Sequence, residues 1–143
     1  MERVPSDHPS VATHRARIER YGGTRRPCVR VPDAVDLEAG TLVRLVVDGD
    51  ERHARVEADA EGRLLTGAYD NRRLAREREG SNRLVDWLRA TDRGPGTSTD
   101  LDEVEPGDLY GLRVPGDRTV YEATPGPDDA LSAIAERVER DDR

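Results

Sequence analysis

The sequence predicts an α+β fold: a small, mostly antiparallel β-barrel or curled sheet, with an inserted helical pair and a C-terminal helix. Three observations carry this. Short runs of Val, Leu and Ile are bounded by Gly, Pro and Asp, as strands joined by tight turns require. Between two groups of such runs, the stretch 70–90 changes to helical spacing. The last apolar residues, Leu131, Ile134, Ala135 and Val138, recur at helical spacing too. The 143 residues are one domain's length. Residues 1–10 are expected as a flexible start and 11–143 as a single α+β domain.

Taken in order, Val11 to Arg20 alternates weakly and suits a strand or a short helix with a polar face. Tyr21-Gly22-Gly23-Thr24 is a turn. Pro27 to Pro32 is a short strand fenced by prolines, which belong at strand ends and sheet edges. Thr41 to Asp48 is a strand with a buried centre. It turns at Gly49-Asp50 and returns as Arg52 to Ala58, the clearest hairpin in the chain. A turn at Glu61-Gly62 leads into a strand over Arg63 to Tyr69. Asp70 or Asn71 then caps a short helix through Glu77, ended by Gly80. Ser81 is expected to cap the next helix, which runs to about Ala90 and buries Leu84, Val85, Trp87 and Leu88. Gly94 to Thr99 is a loop, and Asp100 to Glu105 suits a strand. Asp108 to Pro115 and Arg118 to Ala123 are expected as a second hairpin, turned at Gly116-Asp117. Asp128 starts the final helix, with acids at its N-terminus and Arg137 and Arg140 near its C-terminus.

Composition bears on the setting. All 23 basic residues are Arg; there is no Lys, Phe or Gln. Acids number 30 and the net charge is −7. Concentrated salt shortens the Debye length and makes such a surface tolerable. Arg is more weakly hydrated than Lys and pairs bidentately with the plentiful carboxylates. This balance points to a salt-adapted organism, a haloarchaeon, over compositional drift in a GC-rich genome. Mean hydropathy is −0.83, yet the apolar residues are clustered rather than scattered, as a thin folded core requires. Cys28 is alone, so no internal disulfide can form. The polar start from Met1 to Ser10 reads as no signal peptide, and no apolar run nears the roughly 20 residues of a membrane span. A cytoplasmic protein with no membrane partner is expected.

The charge is not uniform. Residues 1–34 hold seven Arg and four acids, and 63–93 hold eight Arg and five acids. Residues 35–62 hold three Arg and eight acids, and 94–143 five Arg and thirteen acids. The second basic block supplies Arg72, Arg73, Arg76 and Arg83, with Asn71 and Asn82 beside them. Arg and Asn are side chains that grip phosphates and read bases, so these six are the candidate nucleic-acid-binding residues. Arg15, Arg17, Arg20, Arg25 and Arg26 of the first block extend the surface if the two blocks meet. The competing reading is internal pairing, with Arg73 reaching Glu77 and Arg76 reaching Glu79. Salt is an objection to the first reading, because phosphate contacts weaken steeply as it rises.

No catalytic pattern is present: no phosphate-binding loop, no Gly-x-Gly-x-x-Gly and no Gly-x-Ser-x-Gly. Asp48, Asp50 and His53 lie near one hairpin tip, where a solvated turn is a better reading than a metal site. No cofactor is expected. The leading expectation is a non-enzymatic module that binds DNA or RNA or acts in regulation. The alternative is a protein-interaction module, using the C-terminal helix or an edge strand to bind a partner or form a homodimer.

Two stretches echo each other 67 residues apart: Leu37-Glu38-Ala39-Gly40-Thr41-Leu42-Val43-Arg44-Leu45 and Val104-Glu105-Pro106-Gly107-Asp108-Leu109-Tyr110-Gly111-Leu112. Such a Gly turn swings the chain into a strand. It resembles the turn of swapped-hairpin and pseudobarrel families, several of which bind DNA. The stretches GAYDNRRLAR (67–76), SNRLVDWL (81–88) and PGDLYGLRVPGDRTVY (106–121) resemble a family of uncharacterised haloarchaeal small proteins over most of the chain. That resemblance implies one domain and transfers no activity or functional residue.

Overall fold

Period-two alternation builds a closed wall. The computed structural model describes residues 3–23 and 26–122. Within them the strands are β1 (Arg3–Pro5), β2 (Ala12–Arg20), β3 (Pro27–Arg30), β4 (Leu42–Val47), β5 (Asp50–Asp59), β6 (Gly62–Leu65), β7 (Ser98–Glu105), β8 (Leu109–Arg113) and β9 (Val120–Glu122). The helices are α1 (Arg72–Glu77) and α2 (Arg83–Ala90). Seven strands close into a barrel in the order β2-β3-β6-β5-β4-β8-β7. Its pairs are antiparallel except β4 with β8, which run parallel. Closure leaves the barrel no unpaired edge.

The inward residues are small or aliphatic apart from Tyr110: Ala16 and Ile18, Val43, Leu45 and Val47, Ala54 and Val56, then Leu101, Tyr110 and Leu112. Leu84, Trp87 and Leu88 of α2 join the same cluster. Because the wall is closed, a helix can reach that interior only over an open end, so α2 acts as a plug. Its N-cap is Asn82 rather than the expected Ser81. The Asn82 carboxamide accepts from the Val85 and Ala68 amides and donates to the Thr66 carbonyl, which ties the helix to the chain leaving β6. Ser81 is exposed. Asn71 caps α1 as expected, accepting from Leu74 N at 2.8 Å.

The echoed turns are alike in detail. Thr41 N donates to Glu38 O and Asp108 N to Glu105 O, and Gly40 and Gly107 have φ of +92° and +82°. A positive φ at the third residue of a four-residue turn is what glycine supplies in a type II turn. The strands that follow these turns, β4 and β8, are the parallel neighbours.

The expected hairpin of 108–115 with 118–123 does not form. β8 takes β7 and β4 as partners, and β9 pairs with β1 instead. The resulting two-stranded ribbon includes part of the segment expected as a flexible start. Tyr121 of the ribbon packs with Val46, Val104 and Leu109, which face outward from the barrel, and Val11 packs against them. This second apolar cluster explains why β9 leaves β8: its buried face belongs on the outside of the wall. The C-terminal helix expected from Asp128 lies outside the described residues.

Candidate nucleic-acid interface

The six residues singled out from the sequence lie on or just before α1 and α2, but they do different things. Asn71 and Asn82 are N-caps, with their side chains committed to backbone groups. Arg83 forks onto Asp70, with Nε and Nη2 at 2.9 and 3.0 Å from its two oxygens. The Asp70 carboxyl is held below its usual range by Arg83, and Arg83 is raised in turn by Asp70. Arg73 pairs with Glu77 at 3.1 Å and Glu79 at 3.7 Å, so it, and not Arg76, reaches Glu79. Arg72 and Arg76 make no ion pair among the described residues. Arg76 is exposed and Arg72 half-buried.

The α1 helix packs against β5, and the arginines around it were not all singled out. Arg55 and Arg78 share one oxygen of Glu57, at 3.9 and 3.8 Å. Arg78 ends α1 in the left-handed conformation, φ +57°. Burial raises the Tyr69 phenol, and two positive charges oppose that rise: Arg26 and Arg78. Thus one charge of the first basic block, Arg26, and one of the second, Arg78, both bear on this phenol. Tyr69 pairs through its backbone with His53. Burial lowers the His53 imidazole, and Arg72 adds to that lowering. A second junction lies nearby in sequence: Pro27, opposite Arg20 in the β2–β3 register, shares a depression of about 240 Å³ with Arg89 of α2. The signal that could have found Arg55 is its place on the outward parity of β5, alternating with inward Ala54 and Val56.

Other arginines fasten the fold. Arg30 bridges Glu19 and Asp59, and this pairing lowers the Asp59 carboxyl to about 2. Arg44, with its side chain 3% exposed, contacts Asp108 and Glu105 on the β8 side of β4 and Glu51 on β5. Arg63 donates to the carbonyls of Val35, Leu37 and Pro32, tying down the loop before the first echoed turn. Arg113 holds Asp102, which is fully buried and also accepts from Thr13 and from the Tyr121 hydroxyl. A depression of about 330 Å³ beside β2 is lined by Arg15, Arg17 and Arg30 together with Glu19, Asp33 and Glu61. Val31 and Pro32 complete its lining; its charges are mixed, and Arg30 is already paired with Glu19 and Asp59. Cys28 is buried, and burial pushes its thiol up to about 11.

Fold and site together define a closed, mixed-strand barrel with a helical plug and an outer ribbon, bearing an Arg-rich surface around a short helix. Among the described residues no helix is long and apolar enough to cross a membrane. The chain belongs to the family of unknown function DUF7112, which matches residues 1–138. No curated protein matches it, and no solved structure does.

Proposed function

We propose that this chain is a non-enzymatic nucleic-acid-binding or regulatory module, and that its contact surface is the Arg-rich side of α1 and β5. The observation that carries the reading is that Arg72 and Arg76 of α1 make no ion pair among the described residues, while Arg55 and Arg78 nearby share the single carboxylate of Glu57. Guanidinium groups with no carboxylate to satisfy them suit phosphate oxygens, which they grip by paired N–H donors. Arg73 and Arg83 are closed by carboxylates, so they shape the surface and do not supply its excess charge. Asn71 and Asn82 hold the helices that present it. The same reading gives the protein a haloarchaeal source and a cytoplasmic setting, supported by 23 Arg with no Lys and a net charge of −7.

The test is recovery of the tagged protein from native cytoplasm in high salt, with and without nuclease. Nucleic acid in the untreated sample, lost together with its co-purifying proteins after nuclease, supports the proposal. A protein partner retained after nuclease, with no nucleic acid in either sample, overturns it in favour of an interaction module.

A further inference from the structure

We infer that the nucleic acid taken by this surface is double-stranded and is held by its phosphate backbone without reading of base sequence. The inference rests on the binding function proposed above and narrows its ligand class. Most side chains that could recognise bases are committed within the fold. Single strands are bound chiefly by stacking their bases on aromatic rings beside a basic groove. This chain has five aromatic residues. Trp87, Tyr69, Tyr110 and Tyr121 are all in the core, between 1% and 7% exposed. Tyr21 alone is half-exposed, in the turn after β2. One partly covered ring cannot form a platform for successive bases.

Base reading in the major groove asks for Asn, Gln or Arg placed on an element that enters it. The chain has no Gln. Asn71 and Asn82 are turned back onto their own helices as caps. The α1 helix has six residues, about 9 Å at its rise per residue, too short to lie along a groove. What is left among the described residues is guanidinium charge on a firm support: Arg72 and Arg76 of α1, with Arg78 at its end and Arg55 on the strand beneath sharing only the one carboxylate of Glu57. A duplex backbone carries one charge per ~1.7 Å of axis, the densest regular phosphate array available to such a surface.

The test measures fluorescence anisotropy of the full chain with a labelled duplex of about 20 base pairs, each of its strands alone, and a second duplex of unrelated sequence, over a range of KCl. The duplex is expected to bind at least about tenfold more tightly than either strand, and the two duplexes to agree within about threefold. Arg72→Gln/Arg76→Gln is expected to weaken duplex binding by about tenfold and to lower the salt slope by about two, with an unchanged melting temperature. Tyr21→Ala is expected to leave duplex affinity unchanged. A single strand bound as tightly as the duplex overturns the inference and leaves nucleic-acid binding standing. A preference of more than about thirtyfold between the duplexes overturns its sequence-independent part. No binding to any of these probes overturns the function proposed above, and this inference with it.

Discussion

Gly111→Ala tests the seat of the outer ribbon. Gly111 is mid-strand in β8 and does not have a positive φ, so its backbone would accept a side chain. The obstacle is Tyr121: a Cβ at position 111 would collide with its Cε1, Cζ and hydroxyl oxygen. That ring is 1% exposed and its hydroxyl donates to buried Asp102 at 2.5 Å. Ring atoms backed by a strand cannot slide aside, so the methyl group unseats Tyr121. Overpacking of this kind costs about 1–3 kcal/mol. Loss of the bond to Asp102 adds about 1–3 kcal/mol, at the lower end because Arg113 and Thr13 remain. Gly111→Ala should therefore cost about 3 kcal/mol, close to the ~3–5 kcal/mol of removing the ring by Tyr121→Ala. The decisive measurement is the double variant. With the ring gone the methyl group meets empty space, and Ala is better than Gly in a strand by about 0.5–1 kcal/mol. Denaturant unfolding of all four proteins in molar salt gives the cycle. The double variant should be no less stable than Tyr121→Ala alone. Additive losses would refute the reasoning.

Other perturbations follow from the same contacts. Arg44→Met leaves Glu51, Glu105 and Asp108 facing one another without their cation; it should cost about 3 kcal/mol, with partial recovery in molar salt, read by thermal melting across a salt series. Asn82→Ala removes three side-chain bonds, the cap among them, and should cost about 2 kcal/mol, with α2 the first segment to lose amide-exchange protection. The Asp59 carboxyl, held at about 2 by Arg30 against an ordinary 3.8, should titrate near 2 by carbon-13 NMR. Because its folded value is depressed, its stabilising effect is complete above the ordinary value and is lost as pH falls through about 4 toward 2; in Arg30→Gln the carboxyl should return toward 3.8. Cys28, buried with its thiol pushed up to about 11, should resist alkylation in the native state at pH 8 and react at once when unfolded.

Legibility in the sequence followed the range of the interaction. The hairpin of β4 and β5 was plain, because alternation and turn residues are local, although its turn is Asp48-Gly49 and not the expected Gly49-Asp50. The helical pair was plain for the same reason, although the cap of α2 moved one residue. Ser81 and Asn82 are both good caps, and only the fold shows that the Asn82 carboxamide also meets Thr66 and Ala68, 14 to 16 residues back. The partner of β9 was not legible. Val120 to Glu122 sits a turn's length after β8, so a hairpin is the local choice. Tyr121 instead needs Gly111 beneath it and Asp102 beside it, and no spacing rule announces a glycine as a seat for a ring ten residues away. The parallel β4–β8 pair was half legible: the echoed turns marked both strands but not their adjacency.

The candidate site failed to be fully legible for a further reason, which lies in what arginine does in this chain. Charge counted by segment assumes that arginines near in sequence act together. Here many act singly, between segments far apart. Arg30 joins β3 to Asp59, 29 residues on; Arg44 joins β4 to Asp108, 64 residues on; Arg63 holds the carbonyls of a loop 26 to 31 residues before it. Elsewhere Lys would decorate the surface and Phe would fill gaps between strands, and this chain has neither. Arg takes part of both roles, since its stem covers apolar wall while its fork satisfies carboxylates and carbonyls. A positive segment is therefore not yet a positive surface. Only arginines left over after the fastening is done can contribute to one, and in the 63–93 block Arg72 and Arg76 have no ion pair among the described residues while Arg63, Arg73 and Arg83 are committed.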